Sequence, residues 1–502
     1  MYTITITKPD LHFADITVDL PTERHAWVDL VMARWSPGFY RVEEYAAQVQ
    51  NLTAHTLDGD SLLVEQTAPH RWHIHTGAAP SIRVTYRLVC TGATVTTNWV
   101  GADFAILNGP ATFLKLAGEL RCPYEVTIVF PTTWSEVWTG LARISHDRPN
   151  QHRYYADDFD VLVDAPIMIG TPSVYSFEVD GRQHALVAVG DRAGWDGQQA
   201  ASDLERVVAA HARFWNGLPY ERYLFLIVFR EGGGGLEHGN STLITAAPSR
   251  MRAPEGYPAW LSLATHEFFH AFNAKRLRPV ELGPFDYEHP PRIISLWVAE
   301  GLTCYYTDLL LCRAGLRSPA WLLEALSKTI AQLQGAPGRL VQTLEQSSYE
   351  VWNNSLSGIN PADTTVSYYT KGHVVGFLLD ARIRRMTDGA RSLDDVMRLA
   401  YTRYGGVQGY TPGQFQATVE EVAGTRLDGW FARAIASTAE LDYAEALAWF
   451  GLRFAAANSA EPSTGWILEV SDEADQRHAQ RRRAWQADDS SIDSDMLDQA
   501  ED

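Results

Sequence analysis

Cysteine is scarce in this chain. The four residues of that type, Cys90, Cys122, Cys304 and Cys312, show no C-x-x-C spacing, which excludes a disulfide framework and a thiolate zinc site and leaves scattered reduced thiols. Positive charge is also short. Lys and Arg number 42 against 61 Asp and Glu, and the net charge of −19 argues against nucleic acid or an anionic membrane as the main partner. Part of that excess is local, since residues 472–502 hold ten acidic side chains against four arginines. No apolar run approaches membrane-spanning length, so no membrane insertion is expected. Met1 to Ile6 enters an alternating strand with no basic and apolar leader before it, which makes the cytoplasm the expected location. Internal repeats are absent, and nothing speaks to oligomeric state.

At 502 residues the chain has material for two to four domains. Residues 1–165 read as an all-β domain: Thr3–Thr7, Trp72–Thr76, Ile82–Leu88 and Tyr124–Phe130 alternate with the strand period. His73 and His75 share one strand face, as ordinary polar-face residues. Residues 166–317 turn to mixed α/β. A helix over 199–216 has Ser202 and Asp203 as candidate caps, and His211 falls in its apolar stripe. The strand Tyr223–Phe229 is apolar enough to be buried on both faces. Residues 318–445 are mostly helical, with loops near Gly335–Gly338 and Asn353–Thr365. Residues 446–502 begin with strand-like runs, Trp449–Phe454 and Gly465–Val470, and pass into a charged tail that reads as disordered.

One stretch organises the rest. His266-Glu267-Phe268-Phe269-His270 lies in a predicted helix over about 258–276 that stops before Pro279. At 3.6 residues per turn both imidazoles share a face and can reach one cation. Glu267 is offset by one position, within reach of a water on that cation. The competing reading is a buried helix with two satisfied core histidines. A second helix, about 296–314, carries Glu300 in Leu296-Trp297-Val298-Ala299-Glu300-Gly301, where an apolar setting asks for a charge partner. The alternative for Glu300 is a helix N-terminal carboxylate favoured by the dipole. Two histidines and one glutamate leave a fourth position open for water, the pattern of a catalytic zinc centre. Gly232–Gly235, followed by Leu236 and Glu237, fits an edge strand along which another backbone can lie. A phosphate loop is excluded there, because no Gly-Lys-Ser/Thr follows.

These residues resemble the M61 glycyl aminopeptidases, a family of thermolysin-like zinc peptidases (gluzincins) related to the M1 aminopeptidases. The resemblance rests on 266–279, on Gly234-Gly235-Leu236-Glu237-His238, on 296–306 and on Ser367-Tyr368-Tyr369-Thr370-Lys371-Gly372. Trp35-Ser36-Pro37-Gly38-Phe39-Tyr40 and Leu162-Val163-Asp164-Ala165-Pro166 add to it. It implies a multidomain α+β fold: an N-terminal all-β domain, a thermolysin-like α/β zinc peptidase domain, a helical C-terminal domain and a truncated PDZ-like remnant. It implies one Zn2+ per chain, held by His266, His270 and Glu300. Glu267 would be general base and proton shuttle, and Tyr369 the oxyanion donor, with Tyr368 as the alternative register. Gly234, Gly235 and Glu237 would bind substrate, Glu237 taking the free α-amine; His238 is a substrate contact or a structural residue. Asn273, Lys275, Arg276 and Arg278 bind substrate or brace the helix end. The expected partners are peptides with a free N-terminus, preferably Gly or Ala. An endopeptidase of the same fold, or a non-catalytic peptide-binding protein on a peptidase scaffold, are the alternatives. Family members commonly carry a whole PDZ domain, for which 446–502 has no room.

Overall fold

The structure is a computed structural model that describes residues 1–487 apart from 93, 119–121, 193, 354–362 and 457–464. The alternating runs at the N-terminus build an eight-stranded sheet, in which Tyr2–Thr5 lies parallel to Tyr124–Val129 and antiparallel to Phe13–Pro21. Burial follows the two-residue period: in Ser81–Val89, Ile82, Val84, Tyr86 and Leu88 are buried and the residues between them are not. Two four-stranded sheets complete this layer. One includes Ile167–Gly170, paired with Phe104–Leu107 and Glu136–Thr139, so the β layer runs five residues past 165. His73 and His75 face Asp29 (2.8 Å) and Glu65 (3.1 Å) on the polar face.

Next comes a five-stranded sheet: β1 (Ser173–Val179), β2 (Arg182–Gly190), β3 (Arg222–Phe229), β4 (Gly233–Glu237) and β5 (Ser241–Ala246). The spatial order is β1-β2-β3-β5-β4. β2, β3 and β5 are parallel, while β4 runs antiparallel to β5 as an outer edge. All of β3 after Arg222 is buried, as its apolar run requires. Helices α1 (Gly197–Trp215) and α2 (Gly256–Phe269) pack together. Asp196, not Ser202 or Asp203, caps α1 by accepting from the Gln198 and Gln199 amides, because it is the acceptor that stands ahead of the first turn.

Helix α2 is shorter than its sequence implies. It ends at Phe269 with His270 at the C-cap, and the chain then reverses through Ala274 at φ +103°. The reversal brings the Asn273 carbonyl back to His270 Nδ1, at 2.9 Å. A π-helical turn, Trp297–Gly301, runs into α3 (Leu302–Arg313), and α4 (Tyr368–Met386) packs on both.

The C-terminal segment departs from expectation. Trp449 and Phe450 end a helix, Ala444–Phe450, instead of starting a strand; Leu452–Phe454 and Leu468–Val470 then form a two-stranded antiparallel sheet. The charged run is not disordered over Gln476–Gln486, which is helix α5. Its Trp485 is fully buried and donates from Nε1 to the Tyr305 hydroxyl at 2.8 Å, while the Arg481 guanidinium covers the Trp449 ring at 3.5 Å. One buried indole outweighs the cost of ordering arginines whose heads stay near solvent. The expected loop over Asn353–Thr365 lies outside the described residues at 354–362, and so does the acidic tail at 488–502. No described helix is long and apolar enough to cross a membrane.

Two buried histidines link this core to pH. His211 packs edge-on against Phe268 and Phe269 (ring centroids 4.8 and 5.8 Å) and His184 stacks on Phe177. Burial lowers the pKa of each from 6.5 to about 4. Both are neutral in either state above pH 6.5; below it the unfolded chain binds protons that the native state refuses. Stability therefore falls between pH 6.5 and 4, by up to about 3 kcal/mol per histidine. His211→Phe should flatten that acid branch relative to the wild type in thermal unfolding, since any loss common to both proteins cancels. Equal slopes would contradict this account.

Candidate active site

Three donors converge where α2 meets the π-turn. His270 Nε2 lies 3.2 Å from the Glu300 carboxylate and His266 Nε2 3.5 Å, while the two Nε2 atoms are 3.0 Å apart. The helical turn survives the end of α2, because His270 keeps αR dihedrals. The Asn273 carbonyl only accepts, so His270 carries its proton on Nδ1 and turns the Nε2 lone pair to the cluster. Asn273 also fixes the opposite wall. Its Nδ2 donates to the Val298 and Ala299 carbonyls (2.9 and 3.1 Å) and to the Thr303 hydroxyl (3.0 Å). The π-turn sets Glu300 on the inner face, a common use of such turns at functional sites.

The donors suit a cation. Glu300 Oε1 is buried with no hydrogen-bond partner among the described residues, and two imidazole lone pairs aimed at one point repel without a positive charge between them. The electrostatics agree. Burial lowers the pKa of His270, yet Glu300, Glu237 and Glu267 outweigh it and raise it to about 10. Burial raises that of Glu300, but His270 and His266 bring it down to about 2. The pocket is built to hold positive charge at this point.

Two more carboxylates share it. Donor atoms of Glu237, Glu267 and His270 also lie within 4.8 Å of one another. Glu267 and Glu237 are buried, and burial lifts both pKa values, that of Glu237 to about 7 and that of Glu267 well above the carboxylate range. Glu237 ends the edge strand β4, as expected. A Cβ on Gly235 would stand 2.3 Å from Glu267 Oε1, so only glycine lets strand and helix come this close, while the Cβ position of Gly234 is open. His238 points elsewhere. Its Nδ1 lies 3.2 Å from Asp164, which also accepts from Lys275 (2.6 Å) and the Gly239 amide (2.7 Å). Arg276 donates to the Gly239 and Pro219 carbonyls, bracing the turn after α2; Arg278 covers the Phe285 ring.

Tyr368 and Tyr369 open α4, with Ser367 as N-cap. The Tyr369 ring sits 6.3 Å from that of His266. The glycines of the two motifs explain the approach: a Cβ on Gly301 would meet the Gly372 Cα at 2.5 Å. Cys304 lies on the Nδ1 side of His266, at 3.8 Å, turned away from Nε2.

The sequence reading missed the part played by the β domain. Gly38, at φ +92°, covers Glu237 so tightly that a Cβ would stand 2.3 Å from its Oε1. Tyr40 is buried beside it, its ring 6.0 Å from Trp352, with its hydroxyl against Glu300 and Glu237 and no well-formed hydrogen bond. A φ-positive glycine two residues before a tyrosine was visible only as a motif, without a destination.

Comparison with known proteins agrees with this arrangement. The sequence model of the Peptidase M61 N-terminal domain matches residues 1–171, and that of the M61 glycyl aminopeptidase matches 259–375. Among solved structures, an aminopeptidase N family protein from Idiomarina loihiensis is 25% identical with a TM-score of 0.84, over 90% of this chain and 78% of that one. A variant of the M1 zinc metallopeptidase of Deinococcus radiodurans (11% identity, TM-score 0.56, 88% and 94% covered) and yeast LTA4 hydrolase (15%, 0.54, 88% and 67%) share the fold. Among curated protein sequences none matches. The fold and site define a metallopeptidase. The two matched models belong to one family and together span more than half of the chain, which is a member of the M61 peptidases.

The Gly301 and Gly372 contact gives a test. Gly301→Ala forces backbone against backbone and moves Glu300 relative to Tyr369, so peptide hydrolysis should fall by about 100-fold or more in a protein whose circular dichroism is unchanged. Wild-type activity in that variant would show that the contact does not set the site.

Proposed function

We propose that this protein is a zinc aminopeptidase that removes single N-terminal residues from peptides. One observation carries the reading: Glu237 stands within 4.8 Å of both Glu267 and His270, and Gly38 closes its far side. The nitrogen and carbonyl carbon of an amino acid are about 2.5 Å apart, from bond lengths of 1.46 and 1.52 Å. An α-ammonium paired with Glu237 therefore sets the first carbonyl at the metal centre, with no room upstream for a longer chain. A peptide blocked at its amine would leave a buried carboxylate unpaired, which an exopeptidase site penalises strongly.

His266, His270 and Glu300 hold the cation. Two nitrogens and one oxygen with an open position suit zinc, which when bound acts as a Lewis acid on the scissile carbonyl and on water. Glu267 takes the proton of the attacking water and delivers it to the leaving amine. The Tyr369 hydroxyl donates to the oxygen that becomes negative in the transition state. Gly234 and Gly235 pair with the substrate backbone. The reading extends to a preference for Gly or Ala, on the ground that Gly38 and Tyr40 crowd the Glu237 carboxylate that would hold the amine.

Glu267→Gln should keep one zinc per chain by metal analysis while hydrolysis of alanine amide falls by about 100-fold or more. The wild type should cleave alanyl peptides and spare their N-acetylated forms. Full activity in the variant would remove Glu267 from the mechanism, and equal cleavage of acetylated peptides would make the enzyme an endopeptidase.

A further inference from the structure

A cavity of about 390 Å³ lies between the bare start of β4 and the first two turns of α2. Its walls are mostly apolar, with Ile244 of β5, Met251, and Trp260 and Leu263 of α2, while Thr245 and the exposed Glu255 are its polar members beside Arg250. Leu263 stands one turn before His266 and Glu267 on the same helix, so this wall of the cavity lies one helical turn from those side chains. Gly232–Gly234 form its floor.

The direction of a bound peptide follows from the site. The amine is held at Glu237 and the reacting carbonyl lies by Glu267, next to Gly235. The substrate thus runs from Glu237 toward Gly233, antiparallel to β4. At about 3.4 Å per residue, the third residue of the peptide comes opposite Gly233. Nothing stands within 4 Å of the Cβ position of Gly234, and beyond the Cβ position of Gly233 the first atom is Nη1 of Arg250, at 3.7 Å. Arg250 is exposed, on the rim of the cavity.

We propose that this cavity is a specificity site for the third residue of the substrate, taking an apolar or aromatic side chain while Arg250 takes the C-terminal carboxylate that follows. The enzyme is thereby suited to tripeptides with an apolar last residue. An aromatic side chain fits within such a volume with room to spare, and a guanidinium on the rim recognises a carboxylate in forked geometry. The inference rests on the reading of Glu237 as the amine clamp.

The test is a substrate series followed by release of free alanine. In the wild type, kcat/KM for Ala-Ala-Phe should exceed that for Ala-Ala-Gly by roughly tenfold or more, and amidation of the C-terminus should lower it by roughly tenfold. Ala259→Trp, at an exposed position in the cavity wall, should bring the Phe to Gly ratio to about one, and Arg250→Ala should remove the effect of amidation. Alanine p-nitroanilide serves as a substrate that ends before the cavity. Hydrolysis of that compound together with equal rates on all tripeptides would overturn the cavity's role and leave the aminopeptidase reading standing. A Phe preference that survives Ala259→Trp would do the same. Failure to cleave any free-amine substrate would overturn both.

Discussion

Three buried carboxylates, the buried imidazole of His270 and the half-buried one of His266 share one pocket, and so much negative charge out of water calls for positive charge among them. That constraint shapes everything around it. His270 is turned by the Asn273 carbonyl, Glu300 is pinned through the backbone that Asn273 grips, Glu267 stands beside His266 on α2, and Glu237 comes from the adjoining strand β4. Removing water from so many charges costs several kcal/mol per ion unless each is compensated. A fold that accepts that cost holds a precise arrangement of opposed charge in return.

The close approaches that make the pocket are made by glycine. Gly235 lets β4 touch Glu267, Gly301 lets the π-turn touch α4 at Gly372, and Gly38 lets the β domain seal Glu237. Each contact joins two elements distant in sequence, and each closes the pocket that holds Glu237, Glu267 and Glu300. The β domain is therefore a wall of the site as well as a platform for it, with Tyr40 as its most deeply inserted side chain.

What could be read from the sequence was local. His266 and His270 meet because a helix places i and i+4 on one face, and β3 is buried on both faces because its run is apolar throughout. The glycine run before Glu237 was legible as an edge because bare residues admit a second backbone and no Gly-Lys-Ser/Thr follows to make a phosphate loop. What could not be read was set by partners far along the chain. The end of α2 depends on a reversal at Ala274, and the cap of α1 on which acceptor stands first. The order in α5 depends on a slot for Trp485 between α3 and α4. Tyr40 gave a motif but no address, since its neighbours Glu237, Glu300 and Trp352 lie about 200 residues or more away in sequence.

The central claim is that His266, His270 and Glu300 together hold one zinc ion. X-ray absorption at the zinc edge of the purified protein tests it most directly. The account predicts one zinc per chain with a first shell of nitrogen and oxygen at about 2.0–2.1 Å, including two imidazoles, and no sulfur. A sulfur scatterer at about 2.3 Å, or a folded protein that takes up no zinc, would contradict it.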